Sequence, residues 1–342
     1  MSLKVGIVGA AGYAGAELIR LVLGHPEFEL VAITSNADAG QPLSAVYPSF
    51  TGVSDLVFTT HDAPELKNCD AVFLAVPHTA AMAQVPALLA AGVSCIDLSA
   101  DYRLSDPATF EAWYAAEHTS PELLKTRAFG LPELFCRDLE TAASDHADGK
   151  PVLVACAGCY PTATSLAAAP AVRAGWVAQS GPVIVDAISG VTGAGKSCNA
   201  RTHFCCADEN LEAYGVGKHR HTPEIEQILG LTDRVVFPPH LAPLKRGLLS
   251  TVTMPLAPQA IDSLALEDVV DYYKQFYAPV APLCACSIPP AAQDGFGCRH
   301  QRRQIGLRST ACGRAGGVGR HRQSVQGRCG PSGPVRQYRL WL

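Results

Sequence analysis

The chain has 342 residues, 48% hydrophobic and 17% charged, with 13 cysteines and a formal net charge of −4. That is enough apolar material for two domains with separate cores, and no stretch reaches the roughly 18 consecutive apolar residues of a membrane span. The charge is split: from Leu283 onward there are ten Arg, no Lys and one acid, a balance of +9, against 17 bases and 30 acids before it, a balance of −13.

Residues 1–8 run straight into an apolar strand without the charged-then-apolar pattern of a secretory leader. The expectation is therefore a cytoplasmic protein with reduced thiols and no disulfide framework. Cys156 and Cys159 form a lone CxxC, Cys205 and Cys206 are adjacent, and no spacing pairs up as a zinc site, so no metal is expected.

In chain order, residues 3–8 predict a strand, residues 16–23 repeat apolar positions at helical spacing, and residues 28–33 predict a second strand, completing a βαβ unit. Residues 71–76 predict a buried strand, 79–91 a helix and 93–98 a further strand. Strands alternating with helices imply a doubly wound parallel sheet of Rossmann type. A boundary is placed at residue 150, after a polar stretch, giving a nucleotide-binding domain over 1–150 and a catalytic domain over 151–282. Beyond it, strands at 151–155 and 182–188 bracket a helix over 162–174.

Gly9, Gly12 and Gly15 fall between the first strand and the first helix, spaced GxxGxxG. Glycines there let backbone N–H groups approach a pyrophosphate at a helix N-terminus. The second strand ends in Thr34-Ser35-Asn36 and lacks the acid expected for a ribose 2′-OH, so the hydroxyls of Thr34 and Ser35 lean towards NADP over NAD. A polar loop without that role is the other reading.

Cys159 lies at or just before the start of the helix that follows the strand at 151–155. A helix N-terminus lowers a thiol pKa and favours the thiolate; a small buried residue is the alternative. Residues 190–197, GVTGAGKS, match the phosphate-cradling pattern GxxxxGK[ST] after a strand, with Lys196 as its cation. Against a P-loop NTPase, the next residues lack the periodicity of a long helix, and no later strand ends in an obvious metal-binding acid.

Assembled, these segments resemble the N-acetyl-γ-glutamyl-phosphate reductases of arginine biosynthesis, from Lys4 to about Tyr277. The resemblance rests on VGIVGAAGYAGAEL near the start, FLAVPH at 73–78, IDLSADYR at 96–103, FGLPEL at 129–134 and GCYPTA at 158–163. It continues in SGVTGAGK at 189–196, HRHTPEIE at 219–226 and PHLAPLKRGLL at 239–249. It implies an α/β fold with a second, α+β catalytic domain of the semialdehyde and glyceraldehyde-phosphate dehydrogenase type. It also implies a thiolate nucleophile at Cys159, an acid/base histidine at His219 or His221, and an NADP(H) loop at Gly9, Gly12, Tyr13 and Gly15. The resemblance places Ser189, Gly190 and Gly193 in a loop near the nicotinamide, which makes the P-loop match coincidental. Arg103 and Arg246 are the cations assigned to a substrate carboxylate or phosphate. Cys156-Ala157 departs from the Asn-Pro or Val-Pro of many relatives. The implied partners are a small-molecule substrate and further copies of the chain, as a dimer or tetramer, with neither nucleic acid nor membrane. Reductases of carrier-protein-linked glutamyl or aminoadipyl phosphates share the pattern and remain the alternative.

From about residue 281 the resemblance stops, and Arg, Gly, Cys, Ser, Pro and Gln dominate without periodicity. Residues 322–334 admit codons that, read one base later, spell DNLFKGAAGQAVQ, a close match to the closing helix of relatives. The expectation is a frameshifted, disordered tail over 283–342 that impairs activity; a nucleic-acid-binding arm is set aside.

Overall fold

The computed structural model describes residues 2–261, 263–280, 284–287, 303–312 and 320–328. They fall into two compact units, Met1–Ala157 and Gly158–Leu342.

The first unit is a six-stranded parallel sheet. Strand β1 (Leu3–Val8) leads through helix α1 (Tyr13–Leu23) to β2 (Phe28–Thr34). Then come β3 (Ala71–Leu74), α2 (Val85–Ala90), β4 (Ser94–Asp97), α3 (Pro107–Tyr114), β5 (Ala128–Gly130), α4 (Pro132–Ala147) and β6 (Leu153–Cys156). The spatial order is β2-β1-β3-β4-β6-β5, every pair parallel. The order reverses between β1 and β3, the place where open α/β sheets bind ligands beyond the strand ends. Val5, Ile7 and Val8 of β1 are fully buried, as are Val72 and Leu74 of β3. Burying each such side chain contributes roughly 1.5–3 kcal/mol, against the entropy of ordering the chain.

Two expectations change here. The helix expected over 79–91 is confined to α2, because Thr79 has φ 73° and its amide, with that of Met82, is bound by the Asp101 carboxylate at 2.6 and 3.0 Å. That long-range pair holds the preceding residues in turns. The boundary falls after Ala157 and not at 150, because β6 pairs with β4 and β5 inside the first sheet.

The second unit opens with helix α5 (Cys159–Arg173), followed by β7 (Val183–Gly190), β8 (Glu212–Ala213) and α6 (Thr222–Leu229). Strands β9 (Val235–Val236), β10 (Pro239–Ala242) and β11 (Leu248–Met254) and helix α7 (Leu266–Tyr277) complete its main part. Its sheet is mixed: β7 pairs parallel with β10 and antiparallel with β11. Residues 160–171 of α5 are all buried; eight of the twelve are Ala, Ser or Thr, small enough to lie close on the sheet, where Thr164 bonds Ser250 of β11 at 2.9 Å.

The stretch expected to be disordered also carries strands: β12 (Cys284–Ser287), β13 (Arg303–Cys312) and β14 (Arg320–Arg328). β14 pairs antiparallel with β11 from Leu249↔Arg328 to Met254↔Gln323. The edge of β11 opposite β7 offers backbone donors and acceptors to any strand in register, whatever its side chains. Residues 281–283, 288–302, 313–319 and 329–342, on which much of the frameshift reading rests, lie outside the described residues. Among the described residues, no helix is long and apolar enough to cross a membrane.

Candidate active site

In the first unit, the glycine loop has the shape its sequence requires. Gly9 has φ +77°, and a Cβ on it would lie 2.4 Å from the carbonyl oxygen of Ala75, just past β3. A Cβ on Gly15 would lie 2.5 Å from Ala10 Cα. Gly12 is the N-cap of α1 and offers no side-chain acceptor to the first-turn N–H groups; Tyr13, the first helical residue, is exposed. Tyr47, which sequence reasoning missed, donates its hydroxyl to the Ala11 carbonyl at 2.7 Å and braces the loop. The helix N-terminus is therefore open to an anion, as a pyrophosphate needs.

The hydroxyls at the end of β2 have partners within the first unit. Thr34 is fully buried, with its hydroxyl 2.7 Å from His61 Nδ1, and Ser35 donates to the Asp38 carboxylate at 2.6 Å. Both hydroxyls are engaged internally. His61 and Asp38 reach these positions through the loops after β2, and no local sequence signal marks them.

In the second unit, Cys159 is the first residue of α5, with Gly158 as its N-cap. The thiol is half-buried and forms no disulfide. Beside it stands a buried cluster of hydroxyls. Tyr214 donates to Tyr160 at 3.1 Å, and the buried Ser189 lies beside both tyrosines. Burial pushes both phenols up, with the Cys159 charge adding to the rise, so they act as neutral donors.

The predicted histidines join this cluster. The His219 ring sits 5.0 Å from His221, 5.7 Å from Tyr160 and 5.5 Å from Tyr214, centroid to centroid. Its Nδ1 accepts from the His221 backbone N–H at 3.2 Å, which leaves the proton of the neutral ring on Nε2. Burial, helped by the Arg220 charge, lowers its pKa to about 4, so His219 is neutral at pH 7. Tyr160 and Tyr214 were not singled out from the sequence; Tyr160 is inside GCYPTA, but Tyr214 has no local signal.

Ser189 and Gly190 end β7, and Gly193 follows in a 3-10 turn over Val191–Ala194. A Cβ on Gly190 would lie 2.6 Å from the Leu244 carbonyl oxygen and 3.0 Å from Arg246 N. Glycine thus lets this loop lie directly on residues 244–247, which brings Arg246, an exposed side chain, to its flank. No helix opens at Lys196: after the 3-10 turn come only Ala200–Thr202 and Phe204–Ala207. Without a helix N-terminus there is no phosphate cradle. The parent is expected to hydrolyse no ATP above background, and Lys196→Ala to leave that rate unchanged. ATP hydrolysis that disappears in the variant would restore the P-loop reading.

Arg103, expected as a substrate cation, lies inside the first unit. It is 6% exposed, with Nε donating to the Cys156 carbonyl at 2.8 Å and Nη2 to that of Leu98 at 2.7 Å. These bonds give it a structural part in the first unit. A cavity of about 410 Å³ in that unit, lined by Leu123, Arg127, Asp138 and Asp145 among others, contains none of the predicted residues. Chemistry, not void size, marks the site. Among the described residues, no group of three His, Cys, Asp or Glu is placed to hold a metal ion.

Comparison with known proteins gives two family matches. Residues 4–142 match the semialdehyde dehydrogenase NAD-binding domain, and residues 159–285 match the semialdehyde dehydrogenase dimerisation domain. The chain is 45% identical over 298 residues to an N-acetyl-gamma-glutamyl-phosphate reductase of Syntrophobacter fumaroxidans, covering 85% of this chain and 82% of that protein. It is 47% identical over 269 residues to one of Janthinobacterium, covering 78% and 75%. Among solved structures, an aspartate semialdehyde dehydrogenase with NADP from Candida albicans aligns over 95% of this chain and 93% of that one. The TM-score is 0.69 at 16% identity, a likeness of fold. A probable aspartate-semialdehyde dehydrogenase from Pseudomonas aeruginosa gives a TM-score of 0.65 at 19% identity, over 98% and 95% of the chains.

Proposed function

Because the chain belongs to the N-acetyl-gamma-glutamyl-phosphate reductases, we propose that it reduces N-acetyl-γ-glutamyl phosphate to N-acetylglutamate 5-semialdehyde through a thioester on Cys159, as a step of arginine biosynthesis in the cytoplasm. The observation that carries this reading is Cys159 at the N-terminus of α5, next to Tyr160, whose ring packs against both histidines and whose hydroxyl accepts from Tyr214.

The helix N-terminus favours the thiolate, which attacks the acyl carbon and expels phosphate. When bound, NADPH supplies the hydride that takes the acyl group to the aldehyde level. The open first turn of α1, with Gly9, Gly12, Tyr13 and Gly15, is suited to hold its pyrophosphate. The His219–His221 pair protonates the developing alkoxide, with the Nε2 proton of neutral His219 available as donor. Collapse of the hemithioacetal returns Cys159 as thiolate. Arg246, on the flank of the 189–193 loop, is the cation proposed for the substrate carboxylate or phosphate. The match of residues 159–285 to a dimerisation domain supports a homo-oligomer.

The test is phosphate-dependent reduction of NADP+ by the purified chain. N-acetylglutamate 5-semialdehyde is expected to turn over, and the same aldehyde on a carrier protein is not. Turnover of the carrier-linked aldehyde alone would assign the substrate to the alternative class.

A further inference from the structure

Glu224 has no part in the chemistry above, yet its placement ties the reacting groups together. It sits in the first turn of α6, is 1% exposed, and accepts from the backbone N–H of Gly158 at 2.7 Å. Gly158 is the N-cap of α5, so this bond grips the peptide immediately before Cys159. The N-cap of α6 is His221, whose own N–H bonds His219 Nδ1 at 3.2 Å. One short helix therefore carries the histidine pair at its start and, one turn in, the carboxylate that holds the start of the cysteine helix. A side-chain oxygen that accepts from a buried N–H fixes the separation of the two groups it joins, because leaving that N–H unsatisfied is costly.

We infer that Glu224 is a positioning residue: it sets the spacing between Cys159 and the His219–His221 turn by clamping α6 onto the N-cap of α5. This rests on the reading of Cys159 as nucleophile. Attack through a near-attack geometry is sensitive to displacements of about 1 Å, so the clamp acts on kcat and not on substrate affinity. Its basis is reach, not charge.

The experiment compares three variants of the full chain. Glu224→Ala removes the acceptor, Glu224→Asp shortens it by one methylene, and Glu224→Gln keeps an oxygen at the same reach without the charge. Ala and Asp are expected to lower kcat roughly 10- to 100-fold with KM changed by less than about threefold, and Gln to stay within about threefold of the parent. Alkylation of Cys159 by iodoacetamide at pH 7, followed on its own peptide by mass spectrometry, should slow severalfold in Ala and Asp and match the parent in Gln. Should Ala fail to fold, Asp against Gln decides. Parent-like kcat and alkylation in Asp, or a Gln as slow as Asp at unchanged melting temperature, overturns the inference. Turnover retained by Cys159→Ser would instead overturn the nucleophile on which it rests.

Discussion

Cys159→Ser is expected to lower phosphate-dependent turnover by on the order of 10³-fold or more, while the affinity for NADP+ stays within about twofold. The replacement changes one atom of a half-buried side chain at the first residue of α5. What disappears is the thiolate. A thiol ionises near neutrality, and further at a helix N-terminus, whereas a serine hydroxyl there needs a strong base that neutral His219, lowered to about 4, does not supply. A serine ester, if formed, is also a poorer substrate for hydride than a thioester. The glycine loop belongs to the other unit, so dinucleotide binding gives an internal control for folding. A variant that keeps turnover within tenfold of the parent would end the thioester mechanism.

What could be read from the sequence was local. The strand–glycine–helix start, β7 and the cysteine at the head of a helix follow from apolar periodicity and from glycines whose positions the backbone demands. Gly9 is such a case: its positive φ and the Ala75 carbonyl beside it leave no room for a side chain. What escaped was set by contacts distant in the chain. Asp101 holds the amides of Thr79 and Met82, which cut short a helix that spacing alone predicts. Glu224 and Tyr214 join the cysteine's surroundings from 66 and 54 residues along the chain from the groups they bond, Gly158 and Tyr160. No motif spacing encodes such pairs. In the last sixty or so residues, composition argued for disorder, while backbone pairing to β11 requires no apolar pattern.

Gly9→Ala and Gly12→Ala are expected to separate two uses of glycine in the same loop. At Gly9 the backbone has φ +77°, and the new Cβ would stand 2.4 Å from Ala75 O and 2.9 Å from Ala75 C, both backbone atoms that cannot swing aside. Holding an L-residue there costs about 1–3 kcal/mol, and displacing packed backbone about 1–3 kcal/mol more. For a unit of this size, where 1 kcal/mol shifts the midpoint by roughly 2–4 °C, the expected drop in Tm is roughly 4–24 °C, with dinucleotide binding lost as the loop moves. At Gly12 the situation differs. Its φ is −77°, and a Cβ would meet only Gly9 O at 3.5 Å, an ordinary contact. Gly12→Ala should therefore melt within about 4 °C of the parent, since an alanine N-cap costs on the order of 1 kcal/mol relative to glycine. Yet it places a methyl group at the helix N-terminus, where a pyrophosphate must approach the backbone, and the Kd for NADP+ is expected to rise about tenfold or more. Differential scanning calorimetry and a fluorescence titration on both variants decide the matter. A Gly9→Ala chain that melts with the parent would contradict the strained geometry at the end of β1. A Gly12→Ala chain that binds NADP+ as tightly as the parent would remove the glycine loop from the cofactor site.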